Sequence, residues 1–406
     1  VRSLKLIASS AAAGLLTATT VFVGPAAAAP RHAAKGTVSV GIICSCSGPL
    51  ASSYTVGPPA YKAWADSVNA AGGINGYKVK VIVEDDHSNP GASLVDAENL
   101  VGSDHVVAVV DSTNNDSAWA TYVEQHHVPV IGGGAVTPFD ITSSDFFAAG
   151  QTEDDFVIAE VEAAKKVGAK NIGELYCAEA AVCQELLPPL RATAKAEGVN
   201  VAYVAEISAS QPNYTAQCLA AKQAGVQFLA IGEAVTAVQA VAADCAKQGF
   251  TPWEEIGDGG VSKSFLHAPG LDAKSIGFET DIPFFVTDTP GTEAMVRAIR
   301  KYSPSILSSP NYNEEATISY ISGLLFGAAL KAGTTGKSGP VTTNEIYGGL
   351  YSLHGDTLGG MAPPLTFKPN QPNPVDCWYW IGIKNHKFTT PYGLRPHCQA
   401  PPPGTL

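Results

Sequence analysis

Two cysteines one residue apart, Cys44 and Cys46, close an apolar run, and small polar residues follow them to Tyr54. Thiols so spaced suit a metal, a redox exchange or a disulfide. On an extended strand they would lie about 6.6 Å apart on one face, near the upper limit for a disulfide. Zinc sites ask for four ligands, usually with two to four residues between paired cysteines, and no companion Cys/His cluster is near. The pair therefore reads as structural rather than as the seat of function. The hydroxyls after it are more informative. Ser53 and Tyr54 follow the first apolar run, Ser112, Thr113 and Asn114 follow Val106 to Val110, and Gly134, Ala135 and Val136 follow Val130-Ile131. Small residues admit a ligand close to backbone, and hydroxyls and free N–H groups before a helix donate to an anionic or carbonyl group.

Other constellations carry less. Gly336-Lys337-Ser338 ends like a phosphate loop, but the position five before Gly336 is Lys331 rather than glycine, and the segment follows a helix. His126-His127 and Asp85-Asp86-His87 lack metalloprotease spacing, and no Gly-x-Ser-x-Gly elbow occurs. Asn115-Asp116-Ser117 and Asn213-Tyr214-Thr215 match glycosylation acceptors, a pattern short enough to arise by chance. No metal, cofactor or catalytic group is expected.

The elements that position the loops follow from periodicity. Short β-branched runs at 37–44, 78–84, 106–110, 129–131, 171–175, 199–207 and 226–231 alternate with helical segments at 58–71, 92–101, 117–125, 154–167, 183–197, 214–224 and 235–248. Strand then helix with short connections is the pattern of parallel sheets covered on both faces. It appears twice, before and after about Gly150, which predicts an α/β protein of two Rossmann-like lobes with mainly parallel sheets. No low-complexity linker separates the halves, so several chain crossings should join them. A long helix is expected over 313–332, followed by a Gly/Pro-rich tail.

Arg2 and Lys5 precede a mostly apolar stretch from Leu6 to Val23, which reads as a signal peptide spanning residues 1–28, cut after Ala28. An uncleaved anchor is the competing reading, disfavoured by the Thr, Ser and Gly content. Losing the two basic residues takes the formal net charge from −12 to about −14, a balance that excludes nucleic acid and anionic lipid as partners. Cys44 lies well beyond the apolar signal core and does not read as an acylation site, so the exported chain should be diffusible. Eight cysteines in an exported chain imply disulfides. Local pairing gives Cys177 with Cys183, Cys218 with Cys245 and Cys377 with Cys398, leaving Cys44 and Cys46 bonded to each other or reduced.

The stretches "SGPLASSYTVGPPAYKAW", "NAAGGINGYKVKVIVEDDHSNPGAS" and "VAVVDSTNNDSA…VPVIGGGAVTP" resemble the branched-chain amino acid binding proteins of ABC transporters, which have the type I periplasmic-binding fold. The resemblance is strongest from about Ser47 to Pro138 and fades towards Ala332. It implies a monomer with a hinge between lobes, one of 36–150 and 287–355, the other of 151–286 and 356–406. It also implies that Ser112 to Asn114 and Gly134 to Val136 hold the carboxylate and ammonium of an amino acid, with an aromatic and an acidic residue closing from the second lobe. Tyr176 is the aromatic nearby; Glu233 stands where the family often has an aromatic, and Asp258 one position before the usual carboxylate. These departures widen the expected ligand to an amino acid or a related amide, urea or carboxylate, delivered to an ABC permease. A receptor subunit that senses the ligand, and a secreted amide hydrolase, are the alternatives.

Overall fold

In the computed structural model, which describes residues 35–133, 137–150, 152–257, 260–272 and 274–405, the first apolar run forms β1 (Gly36–Cys44). Val38, Val40 and Ile42 share a core with Tyr61 and Trp64 of the helix Gly57–Ala70, while Ile43 joins Leu100 and Trp119 on the opposite face. Burial on both faces is what a parallel sheet between helical layers demands. The expected leader, residues 1–28, lies outside the described residues.

The first sheet adds β2 (Tyr77–Asp85), β3 (Val109–Ser112), β4 (Val130–Gly133) and β5 (Phe146–Phe147) in the order β2-β1-β3-β4-β5, all parallel. The second contains β6 (Asn171–Cys177), β7 (Asn200–Ile207), β8 (Phe228–Gly232), β9 (Trp253–Glu255) and β10 (Ser275–Glu279), with β7, β6, β8, β9 and β10 side by side and parallel. A two-stranded ribbon, β11 (His354–Asp356) with β12 (Leu365–Thr366), stands apart from both. Chain order reverses at β1/β3 in the first sheet and at β6/β8 in the second. Loops leaving such neighbours part to opposite faces and open a crevice at the C-terminal strand ends.

The structure departs from expectation where proline and sequence bias obscure the pattern. The helix expected over 183–197 is two, Ala181–Glu185 and Leu187–Ala196, because Pro188 and Pro189 bring no N–H to a continuing ladder and instead open a new first turn. The helix expected from Ser117 is a single turn, Asp116–Ala118, before Ala120–Gln125. The Gly/Pro-rich tail contains β13 (Cys377–Lys384), antiparallel to β10, with β14 (Lys387–Thr389) and β15 (His397–Cys398) paired to it. Trp378, Tyr379, Trp380, Ile381 and Ile383 bury that strand.

The long apolar helix Glu315–Gly333 lies against the helix Gly57–Ala70 and β4. Gly323 makes the approach possible: a Cβ there would sit 2.5 Å from the Trp64 ring. Four disulfides close short loops, Cys44–Cys46, Cys177–Cys183, Cys218–Cys245 and Cys377–Cys398, and no cysteine is free.

Candidate functional site

Where β1, β2 and β3 end, the loops are organised by one buried carboxylate. Asp86 accepts from Ser45 Oγ (2.8 Å), Thr113 Oγ1 (2.6 Å), Asn115 Nδ2 (3.1 Å) and the Ser88 N–H (2.7 Å). Gly48 turns beneath this hub at φ +85°, where a Cβ would lie 2.4 Å from the His87 carbonyl oxygen. The turn delivers Leu50, Ser53 and Tyr54 to the crevice, and the Tyr54 hydroxyl donates to Asn114 Oδ1. The Cys44–Cys46 bridge lies under the same turn, packed with Leu50, Tyr54 and Ala234.

Loops from the two sheets touch. The Val235 N–H donates to Ser53 Oγ (3.4 Å), and the Ser52 and Thr236 hydroxyls are 3.5 Å apart; on the first sheet's own side Asn313 Nδ2 donates to the Ser53 carbonyl (2.7 Å). Between them lies a cavity of about 80 Å³. Leu50, Ser53, Tyr54, Asn114, Glu315 and Ile318 wall it on the side of the first sheet. Tyr176 and Cys177 at the end of β6, and Gly232, Glu233 and Ala234 at the end of β8, wall it on the other. The cavity thus meets both reversal points.

Its polar lining is acidic. Burial pushes the Glu315 carboxyl up to about 8, against Ser112 Oγ (2.5 Å) and Ser319 Oγ (2.9 Å), which donate to it. Burial, then a hydrogen bond with Glu179, raises Glu233 to about 8; Glu233 is 3 % exposed, and the Ala234 N–H donates to its Oε2. Glu314 is driven well above the carboxylate range by burial and then by Glu279. Among the described lining residues there is no lysine or arginine. Burial first, then the nearby Glu315, keeps Tyr54 a neutral phenol.

Five of the residues singled out from the sequence meet at this cavity: Ser53, Tyr54, Asn114, Tyr176 and Glu233. Ser112 and Thr113 stand behind it, their hydroxyls engaged with Glu315 and Asp86. Gly134, Ala135, Val136 and Asp258 lie outside the described residues. Sequence reading missed Glu314 and Glu315, whose signal is an acidic pair opening an otherwise apolar helix, and Phe156, Val157 and Glu160, which share one helical face. It also read Asp86 only as an unconvincing metal ligand.

Residues 37–387 match the model of the periplasmic binding protein family. Searched against curated proteins, the sequence finds no match. A fatty acid ABC transporter substrate-binding protein from Thermomonospora curvata is similar in structure, with TM-score 0.73 and 19 % identity over 86 % of this chain and 89 % of that one. A branched chain amino acid ABC transporter protein from Thermus thermophilus with bound valine gives TM-score 0.77 at 14 % identity over 90 % and 97 %. A leucine binding protein from Thermotoga maritima gives 0.69 at 14 % over 87 % and 97 %. With mainly parallel sheets in a two-lobe α/β arrangement and a family match running almost from β1 to β14, the chain belongs to the type I periplasmic binding proteins.

Proposed function

We propose that this protein is the extracytoplasmic solute-binding component of an ABC importer, a monomer that captures one small organic molecule between two lobes and presents it to a permease. The observation that carries the reading is the cavity itself, enclosed by loops from the C-terminal ends of both sheets and closed by contacts such as Val235 N–H to Ser53 Oγ. Residues 36–150 with 287–355 move as one lobe and 151–286 with 356–406 as the other. Ser53, Tyr54, Asn114, Tyr176 and Glu233 contact the ligand's polar group. The similar proteins named for a fatty acid and for a branched chain amino acid support a ligand with a polar end, such as an amino acid, amide, urea or carboxylate. Binding works by population: a ligand favours the closed form only as far as it binds that form more tightly.

Calorimetry against pooled amino acids, amides, ureas, amines and carboxylates, with small-angle scattering on each hit, tests this. Stoichiometric binding with a fall in radius of gyration is expected, and the compound should be recovered unchanged. Turnover of any compound would replace the transport reading with an enzyme.

A further inference from the structure

The cavity does not stop in the cleft. Beyond Tyr176 its lining continues into the second sheet's own layer, along Phe156 and Val157 of the helix Glu153–Lys166 and Val182, Leu186, Leu187 and Leu190 of the two proline-interrupted helices. The Cys177–Cys183 bridge forms part of the same wall, in a small apolar cluster with Val182 and Leu186. Two carboxyls, Glu160 and Glu174, interrupt this surface, and both are engaged by partners within the protein. The whole cavity is only about 80 Å³, yet its wall runs from Leu50 on one sheet to Leu190 behind the other. So long a wall around so small a space leaves an apolar slot, and an extended aliphatic chain is the ligand shape that follows such a wall.

We infer that the ligand is an amphiphile whose unbranched aliphatic tail lies in the slot between the helices Glu153–Lys166 and Leu187–Ala196, with its polar head in the cleft at Ser53, Tyr54, Asn114 and Glu233. The inference rests on the binding-protein reading and adds the tail. Hydrocarbon suits the slot because each methylene leaving water for this wall is favourable, whereas a polar chain there would lose its hydrogen bonds to water. The same tail could come from an alkylamine, an alkanol or an alkanoic acid, and the head is distinguished by pH. An ammonium favours ionised Glu233 and Glu315, so its binding tightens as pH rises through about 8; a carboxylate favours their protonated forms and tightens as pH falls.

The test is calorimetry of the full protein with straight-chain amines, alcohols and acids of about two to ten carbons, in which at least one series should gain about fourfold in affinity per methylene until the slot is full. Leu187→Trp should flatten that gain, and Phe156→Ala should move the plateau to longer chains. Affinity independent of length in all three series, or a gain unaltered by Leu187→Trp, overturns the tail. Tight binding of alanine or urea with closure, and no gain with length, also overturns it while leaving the binding-protein reading intact. Turnover of a probe would instead overturn that reading.

Discussion

Glu233 and Glu315 are acids kept protonated by the fold. Glu233 holds its proton to about 8 rather than 4.5, through burial and then its hydrogen bond with Glu179; the backbone N–H of Ala234 opposes this, and nearby Tyr214 adds no positive charge. A folded state that binds more protons than the unfolded chain loses stability as pH rises. For Glu233 the loss begins near 4.5 and is complete above about 8, and Glu315 has the same sign over the same window. Thermal melts should show Tm falling between about pH 5 and about pH 8, with a shallower slope in Glu233→Gln. A Tm that climbs across that range, or a slope indifferent to the substitution, would mean these carboxyls are ionised in the folded protein. Individual residues were only partly legible. Ser53, Tyr54 and Asn114 came from loop position, which the alternation of strands and helices reveals, and Tyr176 and Glu233 from the family resemblance. Ser112 and Thr113 came from the same loop as Asn114, and neither position nor type can tell a hydroxyl that faces a ligand from one donating to Asp86 or Glu315 across a gap of many residues in sequence.

At the scale of elements, β1, β3, β4 and the long helix were readable because burial writes continuous apolar runs, and β2 at the sheet's edge from its β-branched residues, whereas the two-residue β5 was missed. The tail strand β13 was not, since its apolar run sits among prolines and glycines and its partner, β10, is distant in sequence. Nor was the close contact of Trp64 with Gly323, which depends on how two helices meet. Trp64 is 3 % exposed, and the added Cβ at Gly323 would lie well inside contact distance of its ring. Gly323→Val should therefore cost about 1–3 kcal/mol by overpacking, seen as a lower denaturation midpoint with unchanged slope and a perturbed tryptophan fluorescence. An unaltered midpoint would mean that the helices can separate at little cost.

For the molecule as a whole, closure is the quantity to control. Ser52 and Thr236 come from opposite sheets with hydroxyls 3.5 Å apart, and every native cysteine is already bonded. Ser52→Cys with Thr236→Cys, oxidised in the presence of ligand, should trap it, slowing dissociation at least about tenfold relative to the native protein treated alike. Equal dissociation rates would show that the ligand leaves without the lobes parting. One further consequence concerns synthesis. The second sheet is left with β10 unpaired on one side until residues 377–384 arrive, because β13 is the strand that covers it. A ribosome delivers the chain from its N-terminus, so the whole stretch between Glu279 and Cys377 must emerge after β10 before that edge is sealed. An open edge strand invites pairing with other chains, yet an incomplete sheet is also one that can still be threaded through a pore. Placing the sealing strand so far behind its partner separates the making of this sheet from its closure.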